Sequence, residues 1–143
     1  MSVAKTRRGL SLSTLFPNTA QPRFGIFVAK SLEALQRDTH WDVEVINPIG
    51  LPPLALGRYR ALSEAARDTQ EFGMTVHRPV FRLLPKVGGR LNPGLITKAV
   101  LPLARELHAQ QPFDLVDELG QIGDRAVDIV TLFLQLGDMR LAL

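Results

Sequence analysis

The 143-residue chain contains no cysteine. That removes disulfide frameworks, thiolate zinc sites and thiol nucleophiles together, and it suits a reducing compartment. No run reaches the ~18 apolar residues of a membrane-spanning helix. Aromatic platforms for stacking bases are scarce, with one Trp and one Tyr, so no nucleic-acid partner is expected. Charge of one sign is not dominant either. Seventeen Lys and Arg face 14 Asp and Glu, and 45% of residues are hydrophobic, a balance that excludes wholesale disorder. With 11 Gly and 10 Pro the chain is not of low complexity, and its length suits one globular domain with a real core. The signatures GxGxxG, P-loop, GxSxG and HExxH are all missing. His40, His77 and His108 fall on three different elements without a second ligand nearby, so neither a metal nor a cofactor is expected. Arg7 and Arg8 ahead of Leu10 to Phe16 have the outline of a twin-arginine export signal. Ser11, Ser13, Thr14 and Pro17 interrupt the ~7–15 apolar residues such a signal needs, and a basic lead-in to a first strand is the better reading.

The charge that is present is unevenly placed. Net charge is +2 over residues 1–57, +5 over 58–98 and −4 over 99–143. Arg78, Arg82, Lys86, Arg90 and Lys98 follow one another without an acid between them. Pro79, Pro85 and Gly88-Gly89 should break any helix there, so the stretch reads as a basic loop.

Hydrophobic periodicity gives the order of elements. Leu10 to Phe16 reads as a first strand, followed by a loop through Pro17, Asn18, Pro22 and Gly25. Val28, Leu32 and Leu35 make Ile26 to Arg37 an amphipathic helix, and Asp42 to Asn47 a second strand. Strand, helix and strand in this spacing form a βαβ unit with parallel strands. The three prolines of 48–56 predict a loop, and Arg58 to Glu71 leaves both a poor helix and an extended loop open. Met74 to His77 reads as a third strand. Asn92-Pro93 predicts a helix start, with Ile96, Val100, Leu103 and Leu107 as its stripe, a kink at Pro102 and a stop before Pro112. Phe113 to Asp117 reads as a fourth strand with Asp114 and Asp117 as flanking acids, and Gln121 to Leu136 as a last amphipathic helix. The expected fold is a Rossmann-like, three-layer α/β/α domain with a mostly parallel sheet of about four strands. The fourth strand is expected to be an open edge, which predicts self-association.

One local arrangement suggests a site. Gly25 stands at the N-terminus of the first helix, where free N–H groups and the helix dipole favour an anion and a glycine admits close approach. The segments "LSTLFPNTAQPRFGIFVAKSLEAL", "WDVEVINPIGLPP", "TVHRPVFRLLPKVG", "NPGLITKAVLPLARELHAQQP" and "FDLVD" occur in an order that resembles the acceptor-side, N-terminal domain of family 4 glycosyltransferases of the GT-B fold. The resemblance covers roughly residues 9–117, which makes 1–117 the domain and 118–143 a divergent helical tail.

The resemblance implies transfer of a sugar from a nucleotide-sugar to an acceptor without a bound metal. It makes Gly25 a contact to the donor phosphate or the acceptor, and turns Arg78, Arg82, Lys86 and Arg90 toward an anionic acceptor or a membrane surface. It also implies a cytoplasmic protein, peripheral at the inner membrane face. The family's donor domain has no counterpart here, so the chain alone is expected to be inactive unless another chain supplies one. The residues by themselves support an alternative, a non-catalytic α/β module that docks on an anionic partner through the basic 78–98 loop.

Overall fold

A computed structural model describes residues 6–54, 56–83, 88–118 and 140–141. The fold is α/β and Rossmann-like, with a six-stranded, mostly parallel sheet between helical layers. Its strands are β1 (Arg7–Leu12), β2 (Trp41–Ile46), β4 (Thr69–Glu71), β5 (Met74–His77), β7 (Leu115–Glu118) and β8 (Arg140–Leu141), in the order β4-β5-β2-β1-β7-β8. Only β4 runs antiparallel to its neighbour. A second, two-stranded parallel sheet pairs β3 (Ile49–Leu51) with β6 (Val80–Arg82). The helices are α1 (Ile26–Asp38), α2 (Arg58–Ala65) and α3 (Gly88–Gln110).

Alternation along the strands divides the core in two. Val43, Val45, Met74 and Val76 face Val28, Ala29 and Leu32 of α1. Leu10, Leu12, Ile46 and Val116 face Ile96, Val100 and Ala104 of α3. The sheet is therefore packed on both faces, with α1 on one and α3 on the other, as a covered parallel sheet requires.

Several boundaries differ from the sequence reading. β1 ends at Leu12 because the Ser13 hydroxyl takes the Leu15 N–H at 3.1 Å and bonds the Leu15 carbonyl at 2.8 Å, turning the chain out of the sheet. Within the predicted loop 48–56 the chain forms β3, since Pro48 costs only its own N–H and Ile49 resumes the ladder with a bond to the Pro79 carbonyl at 2.9 Å. Arg58 to Glu71 divides into α2 and β4. The basic loop is also broken up by structure: β6 occupies 80–82, and α3 begins at Gly88, four residues before Asn92. Packing of the Ile96, Val100 and Ala104 stripe on the sheet outweighs the poor helix propensity of Gly88, Gly89 and Pro93. The fourth strand is not the sheet's edge, because β8 pairs with it through Leu115–Arg140 and Val116–Leu141. The predicted helix 121–136, and with it most of the tail 118–143, lies outside the described residues.

Candidate functional site

In this fold the first two crossovers travel from β1 toward β5, and the third returns across the sheet to place β7 on the other side of β1. Ligands of open α/β sheets bind outside the carboxyl ends of the strands, at such a reversal. Here that end is unusually built up. Asn47-Pro48 and Arg78-Pro79 interrupt two neighbouring strands at the same level, yet the ladder continues through Asn47 N–H to the His77 carbonyl at 2.8 Å and Leu83 N–H to the Leu51 carbonyl at 2.8 Å. β3 and β6 thus prolong β2 and β5 beyond the main sheet as a bent wall. Opposite it runs the β1–α1 loop, held by the Asn47 amide, which donates to the Ser13 carbonyl at 2.8 Å.

Arg78 fastens this loop from below. Its guanidinium donates to the carbonyls of Pro17 and Arg67, each at 3.1 Å, to Thr69 Oγ1 at 2.6 Å and to Glu71 Oε2 at 2.9 Å. The side chain is only 1% exposed. Arg78 is therefore a structural clamp, and the expectation that it meets an anionic acceptor or a membrane is corrected. Arg82 is exposed at the end of β6, Arg90 lies in the first turn of α3, and Lys86 falls outside the described residues.

Gly25 stands where the sequence suggests, at the N-terminus of α1 with φ +65°. The close approach it permits is to the chain itself. A Cβ there would lie 2.5 Å from the Leu15 carbonyl carbon and 2.8 Å from the Phe16 nitrogen. α1 has no acidic residue in its first turn and no side-chain cap, which leaves the positive end of its dipole uncompensated at the carboxyl end of the sheet.

Two cavities flank the same loop. One, of about 480 Å³, is lined by Pro17, Asn18, Thr19, Pro22, Glu71 and Phe72. The other, of about 300 Å³, lies between Ala20-Gln21 and the Arg58, Tyr59, Ala61 and Leu62 face of α2. Phe72 has φ +54° and Gly73 φ +75°, the paired left-handed geometry of a tight hairpin turn, in which a bulky residue is strained. The turn sets the Phe72 ring edge-on to Phe16 with centroids 6.1 Å apart, and the Lys30 ammonium lies 5.8 Å from its centroid.

A polar row crosses the sheet on the α3 side. Arg8 on β1 pairs with Glu44 on β2, Glu44 with His77 Nε2 at 3.0 Å, and His77 Nδ1 with Asp68 at 3.2 Å. Asp114 takes the Arg8 N–H at 2.9 Å and returns its own N–H to the Arg8 carbonyl, so this carboxylate ties β7 to β1. His108 accepts the Phe113 N–H at 3.1 Å and closes the turn after α3. Among the described residues no group of three His, Cys, Asp or Glu is placed to hold a metal ion.

The most extensive feature of this end is electrostatic. No Asp or Glu occurs in residues 13–32, 45–63 or 72–105. The topology brings the β1–α1 loop, the β3–α2 loop with the start of α2, and the β6 extension to the carboxyl end of the sheet. Arg23, Arg58, Arg60 and Arg82 are all exposed there. The sequence reading treats only 78–98 as acid-free. The other two runs were equally visible, but only the fold shows that they converge.

No family model matches this chain, and no curated protein matches it. Among solved structures it is similar to the C-terminal domain of a hydrogenase from Pyrococcus furiosus, with a TM-score of 0.55 and 21% identity over 100% of this chain and 96% of that one. A likeness at this identity shows the fold alone. It overturns the resemblance to family 4 glycosyltransferases, because the full-length likeness is to a domain of a different protein class and no glycosyltransferase family model matches. The ordered segments that carried the resemblance are those any three-layer α/β domain repeats: strand, turn with Gly, amphipathic helix, strand, proline. No helix among the described residues is long and apolar enough to cross a membrane.

Proposed function

We propose that this chain is a binding module that docks on an anionic partner through the carboxyl end of its sheet. The observation that carries the reading is the convergence there of three acid-free segments bearing the exposed Arg23, Arg58, Arg60 and Arg82. Clustered charges of one sign raise the local potential and attract a partner of the opposite sign, and the uncapped start of α1 adds to the same field. The docking surface is wider than the basic stretch 78–98 and does not include Arg78, whose charge is already matched by Glu71.

Titration of the chain with dextran sulfate, followed by fluorescence anisotropy, tests this. Binding should weaken steeply between low and physiological salt. The variant Arg58→Glu/Arg60→Glu should lose it, while Arg7→Glu/Arg37→Glu, with the same change in net charge at the opposite end, should keep it. Equal loss in both variants would reduce the effect to net charge and overturn the reading.

A further inference from the structure

Exposed apolar side chains are concentrated on the same face. Six large hydrophobic residues are exposed among the described residues, and five of them belong to the segments at the carboxyl end: Phe24, Phe27, Leu54, Leu56 and Val80. Leu35, on α1 beyond that end, is the exception. Leu54 and Leu56 are 74% and 71% exposed, and Phe27 64%. Leu54 and Leu56 lie on the β3–α2 loop, stiffened by Pro52-Pro53, while Phe24 and Phe27 lie at the end of the β1–α1 loop and in the first turn of α1, a segment anchored through Asn47 and Arg78. Burying such side chains within the protein is precluded by their position, and leaving them in water wastes their transfer free energy.

We infer that the partner of this face is an anionic lipid bilayer, with Phe24, Phe27, Leu54 and Leu56 entering its interface while Arg23, Arg58, Arg60 and Arg82 meet the headgroups. This rests on the docking reading above and adds the chemistry of the partner. Apolar projections flanked by cations, with no carboxylate in the loops that carry them, match an interface that is anionic at its surface and apolar just beneath. A nucleic acid or other soluble polyanion would satisfy the arginines and leave the four apolar side chains in water. An acidic protein would need an apolar surface shaped to match two separate apolar pairs, Phe24 with Phe27 and Leu54 with Leu56, whereas a bilayer interface accepts them without shape complementarity.

Co-sedimentation of the full chain with vesicles decides the matter, using phosphatidylcholine alone and with about one-third phosphatidylglycerol. The chain should pellet with the anionic vesicles and stay in solution with the neutral ones. Phe24→Ser/Phe27→Ser and, separately, Leu54→Ser/Leu56→Ser should each lower partitioning at least about tenfold. Because these side chains are exposed, unchanged far-UV CD is expected for both variants. A second readout does not depend on either double variant. Tryptophan placed by Leu54→Trp should be quenched by brominated lipid, whereas the native Trp41, at the opposite end of β2, should not. Binding to dextran sulfate without binding to anionic vesicles would leave the docking reading standing and overturn the lipid inference. Binding to neither would overturn both. Undiminished vesicle binding by the serine variants, or equal pelleting with neutral vesicles, would also overturn the lipid inference.

Discussion

Arg78, at the carboxyl end of β5, donates to Glu71 on β4 at 2.9 Å, and the same guanidinium reaches the Pro17 carbonyl at 3.1 Å. One buried side chain thus couples the β4–β5 hairpin to the loop that follows β1. Removing it would leave the buried Pro17 carbonyl and the partly exposed Glu71 carboxylate without their shared donor, and would free the Arg67 carbonyl and Thr69 Oγ1 as well. Arg78→Met should therefore destabilise the fold by about 2–3 kcal/mol, mainly through the lost hydrogen bonds, because the Glu71 carboxylate left behind still reaches solvent. Arg78→Lys should recover only part, since an ammonium is a point donor and cannot span acceptors on three segments. The midpoint of urea unfolding measures both. A loss below ~1 kcal/mol for Arg78→Met would mean that the clamp is not holding the loop.

The contrast between Arg78 and its neighbours marks what could be read in the sequence. Val28 and Leu32 of the α1 stripe, the strands near 42–47 and 74–77, and the stop before Pro112 follow from periodicity and proline placement, both local properties, whereas Leu35, expected on the same stripe, is exposed. β3 and β6 do not, because each is three residues long and gains its pairing only from the other, 31 residues away. Arg78 looks from its spacing like any residue of a basic run. Its burial depends on Pro17 and Glu71 arriving from elsewhere in the chain, which no local pattern encodes. The face proposed for docking divides in the same way: the acid-free runs are written in the sequence, and their meeting is written in the topology.

Gly25 and Gly57 both have positive φ, at +65° and +61°, but their surroundings differ. A Cβ on Gly25 would strike the Leu15 backbone at 2.5 Å, and one on Gly57 would meet nothing within 4 Å. Gly57→Ala should cost only the backbone strain, on the order of 1–3 kcal/mol. Gly25→Ala, in the αL region that L residues can enter (φ 65°, ψ 24°), carries less backbone strain than Gly57→Ala (φ 61°, ψ −129°) but adds an overpacking penalty of about 1–3 kcal/mol or more, because the obstacle is main chain. The unfolding midpoint of Gly25→Ala is the test. A loss below ~1 kcal/mol for Gly25→Ala would mean that the packing of Gly25 on Leu15 is misplaced.

Ser11 is 1% exposed, and its hydroxyl has no hydrogen-bond partner among the described residues. A buried donor left unpaired destabilises the native state, and alanine removes it with little loss of packing. Ser11→Ala should raise stability by about 1 kcal/mol, read from the urea midpoint. A fall of that size would show that the hydroxyl is satisfied after all.

Arg37 and Asp38 form an exposed pair at 3.0 Å. The hydrogen bond from the guanidinium, and then its charge, hold the Asp38 carboxyl below its ordinary value. A carboxyl depressed in the folded state contributes stability above its unfolded pKa and loses it as pH falls through the folded one. These two residues are adjacent in sequence, so the unfolded chain keeps the pair and the difference between states is small. Arg37→Gln should return the Asp38 titration, followed by NMR, to the ordinary carboxylate range while leaving the acid limb of the stability curve in place. A shift of that limb would mean that the pair forms only on folding.

β7 has β1 on one side and β8 on the other, and that second pairing is only two residues long. Short terminal strands are a common way to blunt a sheet edge, and β4 at the far side has three residues. Without β8, Leu115 and Val116 would present unpaired backbone groups along a strand already aligned by β1, a better template for a second chain than β8 itself. Deleting residues 140–143 should therefore increase self-association at micromolar concentration, seen by light scattering against the full chain at the same concentration. The change should be specific to the edge: Leu115→Lys, which sets a charge on β7, should lower the scattering of the shortened chain again. Equal scattering by the full and shortened chains would show that β8 does not protect the sheet, and that the edge exposed to solvent is already β7.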